Sequence, residues 1–69
     1  MNAVQKTIEI FNRLGILTDC KKLSTSFNRD SKQWEVWGHF QNANGRSNGR
    51  VAQFDTADEA VEFTRLANI

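Results

Sequence analysis

The chain has 69 residues, a formal charge of +1 at neutral pH, 39% hydrophobic and 25% charged residues. That length supports one core and buries only about 60% of the unfolded surface, which argues against a second domain or a deep substrate cavity. One cysteine, Cys20, excludes an internal disulfide and a multi-cysteine zinc site, and the mixed composition argues against global disorder.

Residues 3–14, AVQKTIEIFNRL, place Val4, Ile8 and Phe11 at helical spacing, flanked by Ala3, Ile10 and Leu14. Asn2 and Gln5 form a capping-box pair at the start. Gly15 stands where a left-handed residue ends a helix, and Ile16 follows for the accompanying hydrophobic contact. Residues 16–20, ILTDC, read either as a connector or as the start of a strand. Leu23 to Phe27 alternates apolar and polar residues, the pattern of a half-buried strand. Asn28 to Lys32 has turn composition.

Gln33 to Phe40 alternates again. Trp34, Val36 and Phe40 share one face; Glu35, Trp37 and His39 share the other. Asn44-Gly45 and Asn48-Gly49 both signal a turn that needs positive φ, so Gln41 to Gly49 is read as a long mobile loop or a hairpin of ambiguous register. A third strand is expected over Arg50 to Phe54, with Ala52 and Phe54 inward and Val51 and Gln53 outward. Thr56 and Glu59 form a second capping box. Ala60, Phe63 and Ala67, flanked by Val61 and Leu66, continue as the apolar stripe of a closing helix.

The order is α-β-β-β-α, an α+β domain over residues 1–69: a three-stranded antiparallel meander with both helices on the Trp34/Phe40/Phe54 face. The other face stays open and carries Lys22, Ser24, Ser26, Glu35, Trp37, His39, Val51 and Gln53. Trp37 is the residue there that solvation does not explain. Either residues 16–20 or a chain end covers it, or it serves as a binding anchor. The binding set is Trp37, His39, Val51, Arg46 and Arg50.

Charge is unevenly divided. Residues 21–54 hold six basic side chains against Asp30 and Glu35, whereas residues 55–69 hold Asp55, Asp58, Glu59 and Glu62 against Arg65. Lys22, Arg29, Lys32, Arg46 and Arg50 therefore define an alternative surface for DNA or RNA. Arg46 and Arg50 lack the strand-to-helix setting of a phosphate loop. Cys20 and His39 are the chain's one thiol and one imidazole, and a buried thiol with a surface histidine is favoured over a nucleophile pair. No catalysis, cofactor or metal is expected. Lys6, Glu9 and Arg13 interrupt any apolar leader segment, and no run has the length of a membrane span, so a cytoplasmic protein is expected.

The α-β-β-β-α order resembles the double-stranded-RNA-binding domain. That family has lysines at the start of the last helix where this chain has Thr56-Ala57-Asp58-Glu59-Ala60, so the resemblance implies topology alone. Trp34, Arg46, Arg50 and Phe54 through Ala60 resemble the tryptophan strand, basic hairpin and helix start of AP2-type and integrase arm-binding domains, which implies DNA reading by the open sheet face. Size and layout are also similar to small accessory proteins of phages and mobile elements, anti-CRISPR inhibitors included. The resulting expectation is a small non-enzymatic module that binds another protein as a regulator or inhibitor. A DNA- or RNA-binding module is the alternative, and self-association through a strand edge or the Trp37 face is a further partner class.

Overall fold

The first helix is fixed at both ends by its own residues. The computed structural model describes residues 2–67, and α1 spans Ala3–Leu14. The Asn2 side chain accepts from the Gln5 N–H at 2.8 Å, and the Gln5 side chain accepts from the Asn2 N–H at 2.9 Å. Gly15 closes the helix at φ 68°, and the Ile16 N–H reaches back to the Phe11 carbonyl at 3.1 Å, satisfying carbonyls that would otherwise be orphaned.

Residues 15–19 form a tight turn held by Thr18 and Cys20 N–H groups donating to Gly15 and Leu17 carbonyls. Leu17 packs against the core. The strand that follows, β1, spans Cys20–Asn28, longer than its alternation suggests. Asn28 organises the next turn, accepting on its side-chain oxygen from the Asp30 N–H at 2.9 Å and the Ser31 N–H at 3.2 Å. Lys32 takes the one positive non-glycine φ among the described residues, 58°.

β2 spans Gln33–Asn42 and β3 spans Gly45–Phe54, in an antiparallel sheet of order β1-β2-β3. The expected long loop over residues 41–49 is instead a tight hairpin, with Asn42 paired to Gly45 and the strand already under way at Arg46. Only the first Asn-Gly acts as a turn. The Asn44 N–H donates to the Asn42 side chain at 2.9 Å, and Gly45 absorbs the positive φ at 129°. Gly49 lies within the ladder opposite Gly38. Closing the hairpin early gains the pairs from Arg46 to Gly49, and a solvated loop would forgo those backbone hydrogen bonds.

A second departure is a bulge in this ladder. Val36 pairs with Ala52, yet Trp37 pairs with Arg50, which leaves Val51 as an extra residue on β3. Val51 consequently packs against the core rather than on the open face, and Arg50 takes the place beside Trp37.

α2 spans Ala57–Ala67. The Thr56 hydroxyl accepts from the Glu59 N–H at 3.2 Å and donates to the Glu59 carboxylate at 2.9 Å, so Glu59 reaches back to the cap's side chain. α2 lies over all three strands, and α1 packs along α2. Ala60, fully buried, lets the helix approach the sheet closely. The core joins Val4 and Ile8 of α1, Val36 and Phe54 of the sheet, and Ala60 and Phe63 of α2. Phe63 is the hinge of this packing, with its ring 5.5 Å from both Phe11 and Phe54. Val61, expected to flank the stripe, is exposed. The arrangement is therefore α+β, with both helices on one side of an open antiparallel sheet.

Gly38 has a packing role on the same face. A Cβ there would stand 2.6 Å from the Phe40 ring and 3.2 Å from Val51. Gly38→Ala is expected to displace Phe40 and strain the bulge, lowering stability by about 1–3 kcal/mol, the usual cost of overpacking. Urea denaturation checks this, and an unchanged midpoint would contradict it.

Candidate functional site

The uncovered face is built around a carboxylate. Glu35 points away from the helices but is only 5% exposed, which is unusual for an acid on a sheet's open face. It is enclosed by its donors. Asn28 Nδ2 donates to Oε2 at 2.9 Å, Arg50 Nη1 donates to the same oxygen at 2.9 Å, and Trp37 Nε1 donates to Oε1 at 3.0 Å. Those donors come from β1, β3 and β2 respectively, so one side chain ties the three strands together.

The same geometry explains its acidity. Hydrogen bonds from Asn28, Arg50 and Trp37 hold the Glu35 carboxyl below its ordinary pKa, against an opposing push from desolvation. The negative charge is compensated by Arg50, whose side chain remains about half exposed. Gln53 extends the network. With its amide oxygen towards Arg50, that oxygen accepts from Nε at 2.9 Å while the amide nitrogen donates to Gln33. Gln33 in turn donates to Asp55 at 3.2 Å.

A second set of bonds lies nearer the hairpin. His39 Nδ1 meets Asn48 Oδ1 at 3.0 Å, and Nε2 meets the Ser24 hydroxyl at 3.2 Å. The Asn48 carbonyl oxygen only accepts, so Nδ1 carries the proton and, in the neutral ring, Nε2 accepts from Ser24. Here too one β2 residue bridges to both neighbours. A shallow depression beside it is lined by Lys21, His39, Phe40, Gln41, Arg46, Ser47 and Asn48.

The residues singled out from sequence are thus partly brought together. Trp37 and Arg50 are cross-strand neighbours, and Trp37 is partly buried, with its indole N–H occupied by Glu35. The turn at 15–19 does not cover it, because Leu17 packs on the helix side; residues 68 and 69 lie outside the described residues. His39 shares the face, and Arg46 pairs with Gln41 near the hairpin tip. Val51 leaves the set, carried to the core side by the bulge. The alternative basic set spreads over the sheet's length: Lys22 and Arg46 near one end, Arg50 centrally, Arg29 and Lys32 in the turn at the other. Asn28 and Glu35 lie outside the set of site residues read from sequence. Their signal, a carboxylate between two tryptophans on a central strand, is visible in sequence, but its partners are fixed only by register.

Cys20 is buried, and its thiol donates to the Lys22 carbonyl at 3.3 Å. It pairs with Phe40 on the helix side, while His39 faces the other way, so thiol and imidazole do not form a pair. Among the described residues no three His, Cys, Asp or Glu side chains are placed to hold a metal, and no helix is long and apolar enough to cross a membrane. No protein-family model, curated protein or solved structure matches the chain.

Because Glu35 has a pKa lowered in the fold from the ordinary value of 4.5, its contribution to stability is full above that value and is lost as pH falls through the lower folded value. Glu35→Gln is expected to be less stable than the natural chain at pH 7, with the difference narrowing in acid. Paired denaturation curves across that range check this; a gap independent of pH would contradict it.

Proposed function

We propose that the chain is a non-enzymatic binding module that works through protein–protein contacts on its open sheet face, as a regulator or inhibitor. The observation that carries this reading is the shared anchoring of Trp37 and Arg50 on one buried carboxylate. Tryptophan and arginine are the side chains that most often dominate binding energy at interfaces. Fixing both before a partner arrives reduces the entropy lost on association. Ser24, His39 and Gln53 surround them with polar groups, the character of an interface rim.

A second reading is DNA or RNA binding by the same face, favoured by one specific observation. Lys22, Arg46 and Arg50 project on the sheet side along with Asn48 and Gln53, whereas the acidic Asp58, Glu59 and Glu62 belong to the helix packed on the opposite side. Phosphates are attracted by such a division of charge, and amide side chains suit base edges.

Trp37→Ala is expected to keep the circular dichroism spectrum of the natural chain and to abolish capture of its protein partner in a pull-down from the native host. Loss of the fold in that variant would remove the face from consideration. Titration of labelled duplexes separates the two readings: nucleic-acid binding would weaken with salt at a slope of about 0.9 per phosphate contact, and absence of binding at low salt favours the protein partner.

A further inference from the structure

The two edges of the sheet are not equally protected. β3 is interrupted by the bulge at Val51 and carries Arg46 and Arg50, both devices that discourage pairing with another strand. β1 has such devices at one end alone, where Lys21 and Lys22 accompany the irregularity at Cys20/Lys22. From Leu23 to Asn28 it runs regularly, without charge, proline or glycine. Thr25, Ser26 and Phe27 are exposed, and Phe27 is a large apolar side chain 48% open on the helix side of the sheet. An edge of this kind leaves alternate N–H and C=O groups unpaired and available to another strand.

The stretch Leu23-Ser24-Thr25-Ser26-Phe27 also reads alike from either end: apolar, hydroxyl, Thr, hydroxyl, apolar. We propose that β1 is the dimerisation edge, pairing antiparallel with β1 of a second copy about a two-fold axis at Thr25 to form a continuous six-stranded sheet. In that register Phe27 lies opposite Leu23 of the second copy, Ser24 lies opposite Ser26, and Thr25 lies opposite itself. Residues directly opposite in an antiparallel pair share a face. Both Phe27–Leu23 pairs therefore fall on the helix side, extending the Phe27–Trp34 contact already present at a ring distance of 5.3 Å. On the open side Lys22 meets Asn28, so no like charges oppose one another within the ladder. Beyond it Lys21 would face Arg29, and together with the Cys20/Lys22 irregularity this limits the ladder to the central residues. The interface is isologous, as a two-fold dimer requires. It joins the two uncovered faces side by side, doubling the surface that carries Trp37 and Arg50, and it does not depend on what that surface binds.

A charge exchange at Thr25 tests the register. Light scattering on the natural chain at micromolar concentration is expected to give twice the 7.9 kDa monomer mass. Thr25→Lys and Thr25→Glu, each placing like charges at the two-fold, are expected to give folded monomers by circular dichroism. Mixed in equal amounts, they are expected to restore a one-to-one dimer detectable by native mass spectrometry. Trp37→Ala is expected to remain dimeric. A monomeric natural chain, a dimer that persists in either Thr25 variant, or a dimer lost in Trp37→Ala would overturn the proposal.

Discussion

Glu35 holds the uncovered half of this molecule together. A three-stranded sheet with helices on one side has hydrophobic burial on that side only, and the other face needs a different source of order. Here it is a carboxylate that accepts from Asn28 on β1, Trp37 on β2 and Arg50 on β3. Removing such an acceptor would leave three donors without their partner, and inserting one without those donors would strand a charge at 5% exposure. The group and its donors therefore make sense only as a set. His39 repeats the arrangement towards the hairpin, joining Ser24 and Asn48 across the same three strands.

The bulge at Val51 makes that set possible. In a regular ladder the residue beside Trp37 would be Val51, and Arg50 would turn towards the helices. One inserted residue exchanges them. Val51 gains a place against the core, next to Gly38, while Arg50 gains the carboxylate. Packing on one face and electrostatics on the other thus depend on the same backbone irregularity. Gly38 has no Cβ where Phe40 and Val51 crowd it, which is what allows the irregularity to sit there.

The division of labour between faces follows. Ala60 and Phe63 bring α2 down onto the sheet, and Val4 and Ile8 attach α1 to the same core. The helices carry Glu9, Asp58, Glu59 and Glu62, and the strand face carries Lys22, Arg46 and Arg50. A partner approaching the strand face meets a pre-ordered tryptophan and arginine ringed by hydroxyl and amide groups, with the one acid already neutralised. Two edges remain, one broken by a bulge and charged, the other regular and uncharged from Leu23 to Asn28.

Local pattern in the sequence determined the elements and their ends. Asn2/Gln5 and Thr56/Glu59 mark helix starts, Gly15 marks a stop, and alternation at Trp34, Val36 and Phe40 fixes the buried face of β2, because each of these signals acts through neighbours within a few residues. Two matters lay beyond it. Asn44-Gly45 and Asn48-Gly49 are equivalent as dipeptides, and only the gain of cross-strand pairs from Arg46 onward selects the first as the turn. Likewise, period-two alternation places Val51 outward and says nothing of an extra residue, so the exchange of Val51 for Arg50 beside Trp37 was decided by the tertiary structure. Register sums contacts between distant segments, core packing at Gly38 and ion pairing at Glu35 among them, and no local pattern contains that sum.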